Sequence, residues 1–457
     1  MFRLSEAAAA LGAAVRGPDV RVEAVGSDSR RVRAGELFVA LRGERFDGHD
    51  YVDGALAAGA AAALVSDAAR VRTAGAALLV VPDTGAALGA LGAWWRSRME
   101  AAITAVTGSN GKTTIKEMLA AILRVHAGAE AVLATEGNLN NHIGLPLMLL
   151  RLRARHRFAV LELGMNHLGE IAALTGLVRP QVAAIGNAGT AHIGELGSRD
   201  NIARAKGEIF EGLAAGGTCI INADDAYAAF WRRLAGGRPV LDFALDGPAA
   251  VTGRLSPQDP AALVLRTPAG DTALRLQVPG MHNVRNALCA AACAVALGVA
   301  PSDIAAGLSG YRGTQGRLQR KPGPAGAVLV DDTYNANPDS MKAALDWLGG
   351  QPGRRVFVMG DMGELGADAP ALHAEVGEHA RVRGIHALLA LGEAAAAAVS
   401  AFGAGARHFG SVEALAQAAR DECAHGVTVL VKGSRFMRME RVVERLAPPV
   451  AETAGGR

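Results

Sequence analysis

A chain of 457 residues, half of them hydrophobic and a fifth charged, is too long for one core and too apolar for disorder, so several packed domains are expected. A net charge of +3 spread along the chain argues against a nucleic-acid binder, and the longest uncharged stretch, Asn286 to Ser302, is too short for a membrane span and reads as a buried helix. Cys219, Cys289, Cys293 and Cys423 share no metal-ligand spacing or paired framework, and Glu6, at the head of the N-terminal alanine run, breaks the apolar stretch a signal peptide would need; reduced thiols and a cytoplasmic location are expected.

Residues 1 to about 83 read as a small α/β unit: a helix from Ser5 to Val15, a strand near Val20 to Val25, then Ser27-Asp28-Ser29-Arg30, a strand Leu37 to Leu41, and the turn Arg42 to Tyr51. Small polar residues beside an arginine, followed by a mixed-charge glycine turn, suit a diphosphate or base edge, and equally suit an ordinary surface loop. Pro82-Asp83-Thr84 closes the unit.

A second unit opens near Gly85 with a helix through Trp94 and Trp95, and then comes Ile103 to Thr114: an apolar strand, a glycine turn, and Lys-Thr-Thr starting a helix. That order makes a phosphate cradle, with backbone N–H groups turned inward at Gly108 and Gly111, Lys112 aimed at the β/γ-phosphates and the Thr113 hydroxyl suited to Mg²⁺. The common G-x-x-x-x-G-K-[ST] pattern would need glycine where Val106 stands, so the loop is tighter than usual.

Apolar strands recur at Ala131 to Ala134, Phe158 to Leu163, Gln181 to Ile185 and Thr218 to Ile221, with helical patterns between them, which indicates a parallel sheet covered on both faces. Ligands collect at the carboxyl ends of such strands. Polar residues gather there too: Asn138, Asn140, Asn141 and His142, then Glu162, then Asn187 to His192. Glu162 lies inside an apolar run, so it needs a cation or hydrogen-bond donors. His192 reads as a ligand or a satisfied loop histidine, and Lys206, on an amphipathic helix, as a surface lysine. Arg151 to Arg157 reads as a solvated helix end.

A β-like segment, Leu245 to Pro279, precedes Gly280-Met281-His282-Asn283 at the head of the buried helix, where His-Asn can face a base or phosphate or cap the helix. Residues 312 to 326 read as a linker. Beyond it a third α/β unit has strands Ala327 to Val330, Arg355 to Met359, Ala387 to Leu391 and Val427 to Val431, with loops Asp331 to Pro338, Gly360 to Glu364 and Lys432 to Arg435 at their carboxyl ends.

Thr107 to Thr114, Asn138 to Pro146, Glu162, His192, Lys206, His282-Asn283, Gly316-Arg317-Leu318 and Asp332, in this order and spacing, resemble the Mur ligases, the ATP-dependent amide-forming enzymes of peptidoglycan precursor synthesis. Within that family Val39 to His49, Asn138 to Gly144, Asp332 to Pro338 and Val431 to Arg435 look most like the branch that adds D-alanyl-D-alanine to a UDP-N-acetylmuramoyl tripeptide. The resemblance implies an α/β fold of three domains: a UDP-sugar-binding domain over 1–83, a central P-loop domain with a parallel sheet over 84–314, and a Rossmann-like domain over 315–457 that closes on ATP and binds the dipeptide. It implies that Ser27, Asp28, Ser29, Arg30, Arg42, Gly43, Asp47 and His49 hold the UDP-sugar. Thr107, Gly108, Ser109, Asn110, Gly111, Lys112, Thr113 and Thr114, with Asn283, Arg317 and Asp332, would hold ATP. Thr113, Glu162, His192 and a carbamylated Lys206 would ligate Mg²⁺, the last three together with Lys112 forming the catalytic set. Asn138, Asn141, Asn335, Asn337, Lys432, Ser434 and Arg435 would face the peptide substrates. A monomer is the default, and Pro448 to Arg457 reads as a tail.

Two other readings follow from the same residues. A sibling ligase would share the ATP machinery and differ in the first and third units, whereas a P-loop ATPase of another function would hydrolyse ATP without a carboxylate and an amine. A UDP-sugar-binding module leaves the phosphate loop unexplained.

Overall fold

The computed structural model describes residues 1–259 and 261–447, so the tail read from Pro448 to Arg457 lies outside them. Among the described residues, three larger sheets with helices between their strands organise the chain, beside a two-stranded antiparallel pairing of Phe2–Arg3 with Arg21–Val22. In the first, the order is Ala14–Arg16, Leu78–Val80, Ala62–Val65, Glu36–Val39 and Ala24–Gly26, parallel except for the Ala14–Arg16 edge. The N-terminal helix is correspondingly shorter than expected. It runs Leu4–Leu11 and stops at Gly12, whose φ of 60° ends the helix and frees residues 14–16 to pair.

The second sheet has nine strands. The strand Ala102–Thr107, third from one edge, is flanked by Phe158–Glu162 on one side and Val182–Ile185 on the other, all parallel. Val132–Ala134 closes one edge, while Thr218–Asn222, Val240–Ala244 and Val251–Leu255 extend the other before an antiparallel hairpin of Ala262–Thr267 and Gly270–Arg275. The central strands are buried along nearly their whole length, which explains their unbroken apolar runs. Two helices, Lys112–Ala127 and Met281–Ala296, pack together on one face. Alanine and cysteine along the second allow the close approach, and Gly307 of a third helix, Pro301–Gly310, sits so near that a Cβ there would lie 2.4 Å from the Ile122 Cα. The uncharged stretch to Ser302 is therefore the end of one helix, a turn, and the start of another.

The third sheet has the order Gln319–Pro322, Val328–Asp332, Val427–Lys432, Arg354–Gly360, Ala387–Leu391 and Ala406–Phe409, parallel except for its first strand. Residues 312–326 are thus only partly a linker, because Gln319–Pro322 joins this sheet as an antiparallel edge. The basic run after Leu149 is also less solvated than expected. His156 and Leu152 are buried, and Arg153 reaches from the second unit to the Glu23 carbonyl of the first at 3.1 Å. One apolar core runs without a break from Phe2, Leu37 and Leu64 through Trp95 to Leu161 and Trp231, so the first two units share an interior.

Candidate active site

The Ala102–Thr107 strand delivers the chain into Gly108-Ser109-Asn110-Gly111, and Gly111, with φ of 81°, starts the Lys112–Ala127 helix. The left-handed turn and the close approach both require glycine: a Cβ at Gly111 would lie 2.3 Å from Asn286 Oδ1. Asn187, at the end of the neighbouring strand, fixes the loop by accepting from the N–H groups of Ser109 (3.0 Å) and Asn110 (2.9 Å) and donating to the Asn110 carbonyl (3.0 Å). The Lys112 ammonium folds back on the Gly108 carbonyl at 2.7 Å, and burial, with Arg317 adding to it against Glu162, lowers its pKa.

Register explains why Glu162 belongs here. It pairs with Val106 on the adjacent parallel strand, so its carboxylate emerges beside the loop. Buried at 4% exposure, it accepts from Thr113 Oγ1 and Asn140 Nδ2, both at 2.9 Å, and forms no ion pair among the described residues. A buried carboxylate with only neutral donors fits a site for a cation. On the other flank His192 adopts a left-handed φ of 64°, and its Nδ1 is buried without an aligned hydrogen bond although Glu364 Oε2 lies 2.7 Å away. The His192 contact, with Lys112 adding to it, holds the Glu364 carboxyl below its usual range.

Lys206 is a correction to the sequence reading. It is 1% exposed, and it has neither hydrogen bond nor ion pair among the described residues. Its helix, Arg199–Gly207, is drawn inward by Trp231, whose indole donates to the Ala203 carbonyl at 2.9 Å, and by Gly207, against which Leu234 packs. Burial, reinforced by the Lys112 charge, pushes the amine well below an ordinary lysine pKa. No three His, Cys, Asp or Glu side chains converge as a metal site among the described residues.

The third unit closes over this floor. Arg317 donates to Thr113 Oγ1 at 3.1 Å and lies 4.2 Å from the Tyr334 ring centre. Asn337 caps the Pro338–Gly349 helix while donating to Asn110 Oδ1 at 2.8 Å, and Asp339 accepts from the Thr190 N–H (2.6 Å) and hydroxyl (2.9 Å). Two cavities result. One of about 860 Å³ is lined by Lys112, Thr113, Asn140, Asn141, Glu162, His192, Arg317, Asn335, Asn337, Glu364, Lys432, Ser434 and Arg435. The other, about 340 Å³, lies behind the phosphate loop among Thr114, Arg199, Asp225, His282, Asn283, Arg285, Arg317, Asp332 and Lys432. Within it burial raises the Asp225 carboxyl and holds the His282 imidazole down to about 4. Asp332 accepts from the Leu318 N–H at 3.1 Å and pairs with Lys432 Nζ at 2.6 Å.

The first-unit residues stand apart from both cavities. Arg30 folds onto Asp28 through two hydrogen bonds of 2.8 and 2.9 Å, and that contact pulls the exposed Asp28 carboxyl down to about 2. Asp47 holds Arg42, His49 and Arg70, and His49 is 3% exposed with its ring nitrogens engaged by Asp47 and the Ser66 N–H. Gly43 shapes that turn by donating to the Phe46 carbonyl. Ser27, Ser29 and Asn138 line neither cavity, Asn138 being displaced outward by the turn that brings Asn140 and Asn141 in. Asn140, Asp225, Asp339 and Glu364 are residues whose role here has no sequence signal beyond their place after a strand.

A tight phosphate loop on a parallel sheet, with the third α/β unit roofing the cavities beside it, is the arrangement of a P-loop enzyme. The description "Mur ligase middle domain" matches residues 106–294, "Mur ligase, glutamate ligase domain" residues 316–435, and "Mur ligase family, catalytic domain" residues 21–96. The UDP-N-acetylmuramoyl-tripeptide–D-alanyl-D-alanine ligase of Escherichia coli (strain K12) is 42% identical over 97% of this chain and 98% of that protein. A crystal structure of MurF from Acinetobacter baumannii superposes with a TM-score of 0.88 at 39% identity, covering 97% of this chain and 98% of that one. The MurF ligase of Thermotoga maritima in complex with ADP gives 0.80 at 27% identity, covering 93% and 97%. The chain belongs to the Mur ligase family.

Proposed function

We propose that this chain is an ATP-dependent ligase joining D-alanyl-D-alanine to a UDP-N-acetylmuramoyl tripeptide, a step of peptidoglycan precursor synthesis in the cytoplasm. The observation that carries it is the meeting of Lys112, Thr113, Glu162 and Arg317 beneath one large cavity roofed by the third unit, in a chain aligned end to end with ligases of that name. No helix among the described residues is long and apolar enough to cross a membrane. Domains over 1–83, 84–314 and 315–457 and a monomeric state belong to the same proposal.

The terminal carboxylate of the tripeptide attacks the γ-phosphorus of ATP, the bond to the bridging oxygen breaks, and ADP leaves. The amine of the dipeptide, in its neutral form, then attacks the acyl carbon, and phosphate departs with the C–O electron pair and the surplus proton of the nitrogen to leave an amide. Lys112 and Arg317 place positive charge where two anions must meet, and the phosphate-loop N–H groups hold the triphosphate in line. Asn283 and Asp332 fit the nucleoside in the smaller cavity. The third unit excludes water that would hydrolyse the acyl phosphate.

Thr113, Glu162 and His192 would hold Mg²⁺, aided by Lys206 as its carbamate, and the ion would neutralise charge on the phosphates. A neutral, unpartnered amine is the form that adds CO₂: the N–C bond forms, a proton leaves, and a buried base becomes an anionic ligand. Ser27 to Arg30 and the Arg42 to His49 turn are proposed for the UDP-sugar, and Asn138, Asn141, Asn335, Asn337, Lys432, Ser434 and Arg435 for the peptide chains.

The test is phosphate release with Mg-ATP, omitting each co-substrate in turn, with mass spectrometry of the product. Release that needs both, with a pentapeptide product, supports the reading. Release indifferent to both refutes it, and release with another amine moves the chain to a sibling activity.

A further inference from the structure

Glu364 stands in the third unit, yet its carboxylate lies in the large cavity 2.7 Å from Nδ1 of His192, a residue of the second. Both residues have left-handed backbones, with φ of 62° and 64°, a conformation that costs a side-chain-bearing residue about 1–2 kcal/mol and persists only when its surroundings impose it. The surroundings of Glu364 do so from three sides. The Met362 N–H donates to Nε2 of the fully buried His373 at 2.9 Å, whose Nδ1 lies 2.7 Å from the Ala369 carbonyl. The Gly363 N–H donates to Ser434 Oγ at 2.8 Å. The Glu364 carbonyl itself accepts from the Gly194 N–H of the second unit at 3.1 Å, an approach open because Gly194 carries no Cβ; one would lie 2.7 Å from that oxygen.

We propose that Glu364 is a positioning residue for the cation site, taking the Nδ1 proton of His192 in a hydrogen bond and so turning Nε2 toward the metal. The observation behind it is an orphaned buried nitrogen with a carboxylate at contact distance but out of line, which a small rotation of the carboxylate completes. Histidine ligands ordinarily donate their second N–H to a carboxylate or carbonyl, which fixes the tautomer and raises the basicity of the ligating nitrogen. Here that partner comes from the closing unit, so closure and cation affinity are coupled. The inference rests on the reading of His192 as a ligand.

The experiment is Mn²⁺ binding followed by electron paramagnetic resonance, with a non-hydrolysable ATP analogue present, for the parent, Glu364→Gln, Glu364→Gly, His192→Ala and the His192→Ala/Glu364→Gln pair. Glu364→Gly suits the left-handed backbone better than glutamate does, so loss there is not a folding defect. Both Glu364 variants are expected to weaken Mn²⁺ by about 10–100-fold and to lower kcat while leaving KM for ATP in place, and Glu364→Gln is expected to add nothing in the His192→Ala background. Parent-like affinity in both, or an undiminished loss on top of His192→Ala, overturns the proposal. Parent-like affinity in His192→Ala would instead overturn the ligand reading itself, and with it this inference.

Discussion

Replacing Lys206 by methionine should stabilise the unliganded protein while abolishing its activity. Lys206 is 1% exposed as a residue and makes no hydrogen bond or ion pair among the described residues, and burying a polar group costs about 1–3 kcal/mol in protein mutational data. Methionine fills nearly the same space without that cost. The gain corresponds to a rise of about 2–4 °C in Tm per kcal/mol for a cooperative unit of 150–250 residues. Because burial depresses the folded-state pKa, the unfolded chain binds a proton that the folded chain lacks at every pH between the depressed value and about 10.4. Parent stability therefore rises across that window by about 1.4 kcal/mol per pH unit, and above about pH 10.4 the advantage of methionine falls to the cost of burying the neutral amine alone, about 1–3 kcal/mol. Bicarbonate should stabilise the parent alone, by drawing the neutral amine into a carbamate. Urea unfolding of both proteins at a series of pH values, with and without bicarbonate, measures all of this. A Lys206→Met protein that is less stable than the parent, with a difference independent of pH, would show that the amine is charged and partnered and would refute the reasoning.

Lys112→Ala should lower turnover by about 10²–10³, as removal of a preorganised charge at the reacting phosphoryl group does, and near-parental kcat would remove Lys112 from the mechanism. Lys206→Ala should be inactive and partly restored by added short-chain carboxylic acids in the phosphate-release assay; full activity would rule out the carbamate. Gly111→Ala, whose new Cβ would lie 2.3 Å from Asn286 Oδ1 at a φ of 81°, should lose nucleotide binding by calorimetry while the fold by circular dichroism stays intact. Gly194→Ala should hold the third unit away from the second, because its Cβ would lie 2.7 Å from the Glu364 carbonyl and 2.8 Å from the Gly366 nitrogen. An enlarged radius of gyration by small-angle scattering with reduced kcat is expected, and unchanged scattering would contradict it.

Those residues also mark the boundary of what the sequence discloses. The phosphate loop is legible because strand, glycine turn and Lys-Thr helix follow one another locally, and Glu162 because a carboxylate inside an apolar strand must be met by a cation or by hydrogen-bond donors. Lys206 is not legible: Arg204-Ala205-Lys206-Gly207-Glu208 has the composition of a solvated helix, and its burial follows from a later helix, whose Trp231 and Leu234 hold this one at Ala203 and Gly207. Gln319–Pro322 and Ala406–Phe409 escape a reading by apolar runs because edge strands tolerate polar residues. Val240–Ala244, an interior strand, escapes it because Asp242 interrupts its apolar run and its first residue is exposed. Glu364 and Asp339 make their contacts with residues more than a hundred positions away, and no local pattern encodes those.

The smaller cavity has walls from two units: Asn283 and Asp225 on one side, Asp332 and Lys432 on the other. A nucleotide seated there belongs thermodynamically to both, and its binding energy becomes a shared cohesion between them. At a concentration 100 times its Kd it would add about 2.7 kcal/mol to the joined state. The unliganded chain can then melt as two calorimetric transitions, the third unit separately from the continuous core of the first two, and the saturated chain as one. ATP, on this view, is an adhesive as well as a reactant.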